Sequence, residues 1–100
     1  MRIAIDLDKN YELNKKVFNH IAERFQGAGH EVGILTARAE QEGCQIDFKP
    51  DFIYFLDIGG DDYQTRADKK SKVMIEKGIH ILFDDRAELF SKRLIVLKII

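Results

Sequence analysis

The chain is poor in cysteine, in long apolar runs and in charge of one sign, and each shortage excludes a class of protein. A single thiol, Cys44, allows no internal disulfide, which points to a reducing, intracellular setting. The longest apolar runs, such as Phe52 to Leu56 and Leu94 to Leu97, fall far short of the roughly 20 residues that span a bilayer, so a soluble protein with no membrane partner is expected. Lys and Arg number 16 against 17 Asp and Glu, for a formal net charge of -1, so the basic excess of a dedicated nucleic-acid binder is missing. The N-terminus enters an apolar strand pattern at once, with no basic region, apolar core and cleavage site, and a cytoplasmic location is expected. Repeats, linkers and low-complexity tracts are also missing, and residues 1–100 read as a single domain. What is present is a hydrophobic content of 45%. That argues against disorder, and a chain of this size can hide about 60–70% of its unfolded surface in one core.

Hydrophobic period supplies the elements. Ile3, Ala4, Ile5 and Leu7 form a short apolar run suited to a strand buried on both faces. From Leu13 to Gln26 the apolar residues recur at three- and four-residue steps, which predicts an amphipathic helix stopped at Gly27 and Gly29. Val32 to Leu35 predict a second strand, Thr36 to Glu42 a short helical or turning segment broken at Gly43, and Phe52 to Leu56 a third strand. After a Gly59–Asp62 loop, a helix is expected over 68–77, ended by Gly78, then a strand over 79–83, a further helix over 86–92 and a last strand over 94–100. The alternation predicts an α/β fold with a three-layer α/β/α arrangement, a five-stranded, mainly parallel sheet and no cap domain.

Ligands of such sheets sit at the carboxyl ends of the strands. The first strand is followed by Asp6 and Asp8, the second by Thr36 and Arg38, the third by Asp57 and the fourth by Asp84 and Asp85. Carboxylates brought together at one sheet edge repel one another unless a cation neutralises them, and Mg²⁺ suits a set of carboxylates that shares its shell with water and a substrate phosphate.

Asp6-Leu7-Asp8, Ile34-Leu35-Thr36-Ala37-Arg38, a lysine close ahead of the helix that leads into strand four, and Leu82-Phe83-Asp84-Asp85-Arg86 follow one another in that order. The ordered set resembles the haloacid dehalogenase superfamily of phosphatases, whose fold is Rossmann-like. The resemblance implies that Asp6 is the nucleophile that forms an aspartyl-phosphate, and that Asp8 is the general acid and base. It implies that Thr36, with the amides of the turn through Ala37 and Arg38, holds the phosphoryl oxygens, and that Lys70 neutralises charge on Asp6 and on the phosphoryl group, with Lys69 and Lys72 as competitors. The implied Mg²⁺ ligands are Asp6, the backbone carbonyl of Asp8, and Asp84, with Asp85 a ligand through water or an orienting group. The implied substrate is a phosphomonoester whose identity the sequence does not give.

The chain also departs from the family pattern. Lys9 and Asn10 replace the usual Gly-Thr or Gly-Val after the D-x-D, and the first helix follows so soon that no hairpin is expected over the site. An uncapped site is open to water and to large or exposed phosphates, and a neighbouring copy in a homo-oligomer could cover it. The same departures admit an alternative, a binding or regulatory module that keeps the metal site and turns over little. A phosphoacceptor receiver, with Asp57 as acceptor, fits the motif order poorly. Arg38 reads equally as a substrate contact or as a partner of Glu42 one turn later. His20, His30 and His80 have no ligand spacing and read as structural or surface residues. Tyr63 reads as an exposed loop residue or a stacking surface for a ligand, and Cys44 has no catalytic partner.

Overall fold

A strand that is apolar at every position has to be covered on both faces, and the connections after β1, β2, β3 and β4 each return the chain for parallel pairing. The computed structural model describes residues 1–99. Along the chain run β1 (Arg2–Ile5), α1 (Lys15–Gly27), β2 (Glu31–Thr36), β3 (Ile53–Phe55), α2 (Tyr63–Lys77), β4 (Ile81–Phe83) and β5 (Ile95–Leu97). Short 3₁₀ turns occupy Tyr11–Leu13, Glu40–Glu42 and Ala87–Leu89. The strand order is β3-β2-β1-β4-β5 and every pairing is parallel, so the expected α/β sheet is parallel throughout rather than mainly so.

Strand β1 is central, and alternation sends its side chains to two cores. Ile3 and Ile5 join Val32, Ile34, Phe18 and Ala22 beneath α1. Ala4 joins Leu35, Leu82, Ala67 and Met74 beneath α2. One helix on each face gives the three layers. Gly33, in β2, is required by close approach: a Cβ there would lie 2.3 Å from the Phe52 carbonyl oxygen and 2.5 Å from its ring.

The observed elements differ from the sequence reading at their ends. Helix α1 starts at Lys15 rather than Leu13, which sits in a 3₁₀ turn and is 74% exposed. Helix α2 starts at Tyr63 rather than Asp68, because Asp62 caps it: its Oδ1 accepts the Thr65 N–H at 2.8 Å. Gly78 ends that helix in the left-handed region at φ 64. The helix expected over 86–92 is a single 3₁₀ turn, since the Arg86 amide is drawn back to Asp84 Oδ1 at 2.9 Å and Phe90 turns inward. Strand β4 begins only at Ile81, because the Ile79 amide still serves the helix end through Met74 O at 2.8 Å. Of the strand expected over 94–100, Ile95–Leu97 pair with β4, and residue 100 lies outside the described residues. Among the described residues no helix is long and apolar enough to cross a membrane.

Candidate functional site

The sheet register assembles the site. Ile5 faces Phe83 across the β1–β4 pair, so the next residue on each strand, Asp6 and Asp84, comes to the same edge. Their backbone amides extend the ladder, Asp6 N donating to Phe83 O at 2.9 Å and Asp84 N to Leu97 O at 2.9 Å, which fixes where the two carboxylates start. Both residues are almost fully buried.

Lys70 reaches them from the face of α2. It lies in the middle of that helix, not ahead of it, and the helix packs through Ala67 and Met74, which turns Lys70 inward. Its Nζ donates to Asp6 Oδ1 and to Asp84 Oδ2, each at 2.8 Å. The competing lysines are elsewhere: Lys69 pairs with Asp61 at 2.7 Å, and Lys72 is exposed. Burial pushes the Asp6 carboxyl up to about 7, with the negative charges of Asp84 and Asp85 adding to the rise and Lys70 opposing it. Burial alone would lower the Lys70 ammonium, but the Asp6 and Asp84 carboxylates outweigh it and hold the group above its ordinary value. Asp85 is also raised, by burial first and by Asp84 second.

Asp6, Asp84 and Asp85 each offer a carboxylate oxygen within 4.8 Å of the others. When all three are ionised, Lys70 offsets one charge and leaves two. An all-oxygen donor set with that surplus fits a hard divalent cation such as Mg²⁺. The Asp8 carboxylate is not part of the cluster.

Asp8 belongs instead to a second, outer group. Its Oδ1 accepts Arg38 Nε at 3.0 Å and Nη2 at 2.6 Å, and the same Nη2 lies 2.8 Å from Glu12 Oε1. Arg38 therefore pairs with Asp8 and Glu12, not with Glu42, whose Oε1 accepts the Ala39 amide at 3.1 Å. These carboxylates hold the Arg38 guanidinium above its ordinary value, the Asp8 hydrogen bonds contributing most.

A pocket of about 450 Å³ opens over the inner cluster, and Asp6, Asp8, Ala37, Lys70, Asp84 and Asp85 all line it. Thr36 and Arg38 do not. Thr36 is fully buried at the end of β2, where its Oγ1 accepts the Arg38 amide at 3.2 Å, and Arg38 lines a neighbouring cleft with Glu12 and Cys44.

Asn10 is a residue that sequence reading passed over. It is 1% exposed, and its Nδ2 donates to the carbonyls of Asp6, at 2.9 Å, and Phe83, at 3.0 Å, clamping the ends of β1 and β4 together. Its signal in the sequence is an amide side chain in a turn too short for a covering hairpin. The turn itself is sharp, with Lys9 in the left-handed region at φ 56, and it leads into the Tyr11–Leu13 turn without a hairpin. Arg66 and Arg86 also line the pocket and were not expected there. His80, read as lying inside strand four, is in the connection before it, where its Nδ1 accepts the Arg2 amide at 3.0 Å.

Comparison of the chain with protein-family models, with curated proteins and with solved structures found no match.

Proposed function

We propose that this chain is a capless, Mg²⁺-dependent phosphomonoester hydrolase of the haloacid dehalogenase type. The observation that carries the reading is the convergence of Asp6, Lys70 and Asp84 at the adjoining ends of β1 and β4, buried and held at 2.8 Å contacts. A buried lysine between two carboxylates is an expensive arrangement for stability alone, and such clusters in a pocket mark chemistry.

Only Oδ1 of Asp6 is bonded to Lys70, which leaves Oδ2 for attack on phosphorus. In the first step an Asp6 oxygen forms a bond to phosphorus as the bond to the leaving oxygen breaks, and Asp8 gives that oxygen a proton. In the second, water attacks the phosphorus of the aspartyl-phosphate, Asp8 takes the proton, and phosphate leaves with Asp6 restored. Lys70 holds Asp6 in place and offsets negative charge on the transferring group. Mg²⁺, held by Asp6, Asp84 and Asp85, would shield the phosphoryl oxygens from these carboxylates. The open pocket accepts exposed phosphates, and the reading belongs to the cytoplasm, where a lone thiol such as Cys44 stays reduced.

A second reading has its own observation. Asp8 is tied by two hydrogen bonds to Arg38, and those must part before it meets a leaving oxygen, which favours a module that binds a phosphate and metal but turns over little. One experiment separates the two: hydrolysis of an aryl phosphate by the wild type, Asp6→Asn and Asp8→Asn, with Mg²⁺ and with chelator. Activity that needs the metal and both aspartates sustains the hydrolase; activity that survives Asp6→Asn unchanged ends it. No turnover, with Mg²⁺ still raising thermal stability through Asp6 and Asp84, sustains the module.

A further inference from the structure

The pocket has a second half that the proposed hydrolysis does not use. Tyr63 opens α2 at its rim, with Arg66 one turn later on the same helix and Arg86 arriving from the turn after β4. The Arg86 guanidinium lies 4.0 Å from the centre of the Tyr63 ring and that of Arg66 5.0 Å from it, so one aromatic ring positions both cations. Neither makes an ion pair within 4 Å among the described residues, Arg86 acting on neighbouring Asp85 only at longer range, whereas Lys69, Lys70 and Arg38 around them are all paired.

The two arginines differ in what they have left to give. Arg66 spends its Nε on Asp61 O at 2.9 Å and its Nη2 on Gly59 O, holding the loop after β3. Arg86 has no such employment. Its Nε is the one buried side-chain nitrogen or oxygen, among the described residues, without a hydrogen-bond partner. That nitrogen is closed to solvent, but Arg86 is only part-buried and lines the pocket, and its guanidinium makes no hydrogen bond or ion pair among the described residues, which leaves its outer nitrogens to take an anion there.

We infer that Arg86, set on Tyr63 and backed by the charge of Arg66, forms an outer anion subsite that receives a second acidic group, a phosphate or a carboxylate, of the same substrate whose phosphoryl group sits at Asp6. The inference rests on the hydrolase reading for the inner half of the pocket. The substrate class is then a small phosphomonoester carrying a further phosphate or carboxylate. Arg86 binds that group, and Tyr63 is a positioning residue.

Calorimetric titration in Mg²⁺ with propyl phosphate, propane-1,3-diyl bisphosphate and 3-(phosphonooxy)propanoate tests it, with hydrolysis followed on the same three compounds. In the wild type the compounds with two acidic groups should bind about tenfold tighter than propyl phosphate, the size of one charged hydrogen bond. Arg86→Gln and Tyr63→Leu should erase that advantage while leaving propyl phosphate binding unchanged, and Arg86→Lys should restore part of it. A larger gain for the bisphosphate identifies a phosphate as the second group, and a larger gain for the propanoate a carboxylate; either sustains the subsite. Equal affinity for all three compounds, or an advantage that survives Arg86→Gln, overturns it. Turnover without the preference leaves the hydrolase and removes the subsite, and the preference without turnover does the reverse. Loss of propyl phosphate binding in Arg86→Gln together with a lowered melting temperature marks a structural role and also overturns the subsite.

Discussion

Two groups with the same balance of charge border one pocket in this molecule, each one cation between two carboxylates. Lys70 between Asp6 and Asp84 has side-chain exposures of 7%, 6% and 3%; Arg38 between Asp8 and Glu12 has 19%, 53% and 49%. The contacts are equally short, so Coulomb's law at contact distance does not separate them. Solvent does. The inner group has given up its hydration, and the loss is large enough to push Asp6 up to about 7 despite a lysine at 2.8 Å. The outer group keeps much of its water, and its ion pairs contribute little. The inner group thus holds desolvated charge that its own contacts do not fully offset, and the outer one is a surface tether.

The comparison breaks first at Lys70. Lys70→Met leaves two buried carboxylates without a cation, and we expect a loss of about 3–5 kcal/mol in urea denaturation, with hydrolysis abolished. Adding Mg²⁺ should recover part of that loss through Asp6, Asp84 and Asp85. A loss below about 1 kcal/mol would mean that the inner group is hydrated like the outer one.

Next comes the clamp beneath the inner group. Asn10→Ala removes two hydrogen bonds and leaves each carbonyl its backbone donor, Tyr11 N for Asp6 O and Asp6 N for Phe83 O. At the ordinary worth of two buried hydrogen bonds we expect a loss of about 1–3 kcal/mol by the same measurement. Because the clamp sets the spacing of the β1 and β4 ends, kcat should fall more than KM rises.

The pH dependence of stability then isolates Asp6. Between its ordinary 3.8 and about 7 the folded protein holds a proton that the unfolded chain has released, so stability falls as pH rises across that window. One such proton gives a slope of about 1.4 kcal/mol per pH unit. Lys70 acts far above it: its raised value adds stability that is full below 10.5 and is lost as pH climbs through the folded value. In chelated buffer, the wild-type profile minus that of Asp6→Asn should show the falling slope from pH 4 to 7 and no slope just above. A flat difference in that window, with any slope confined below pH 4, would place Asp6 in the ordinary, ionised class of paired carboxylates.

What could be read from the sequence follows the same inner and outer division. Asp6 and Asp84 were legible because parallel register carries residues that follow paired strand ends to one edge, whereas Lys70 rested on the family resemblance with Lys69 and Lys72 as competitors, and only the inward face of α2 separates the three. Arg38 was not, since its partner Asp8 is 30 positions away and only the fold decides between it and nearby Glu42. The start of α2 was hidden by a polar first turn, Tyr63 to Arg66, whose helicity depends on the Asp62 cap more than on an apolar stripe. Arg86 was expected on a helix; the 3₁₀ turn that replaces it lays the guanidinium on Tyr63 instead.

The smallest expected effect is the other side of the comparison. Arg38→Gln removes a cation from between two carboxylates just as Lys70→Met does, and counted by contacts alone it should do equal harm. Because Asp8 and Glu12 are about half exposed, water takes over their solvation when the guanidinium leaves, so we expect a change under about 1 kcal/mol. Raising the salt concentration to about 1 M should shrink even that difference, since screening shortens to about 3 Å, while the Lys70→Met loss should persist because its charges are shielded from the electrolyte. Equal losses for the two variants, or equal sensitivity to salt, would show that burial does not distinguish the groups and would remove the reason for reading the inner one as a site.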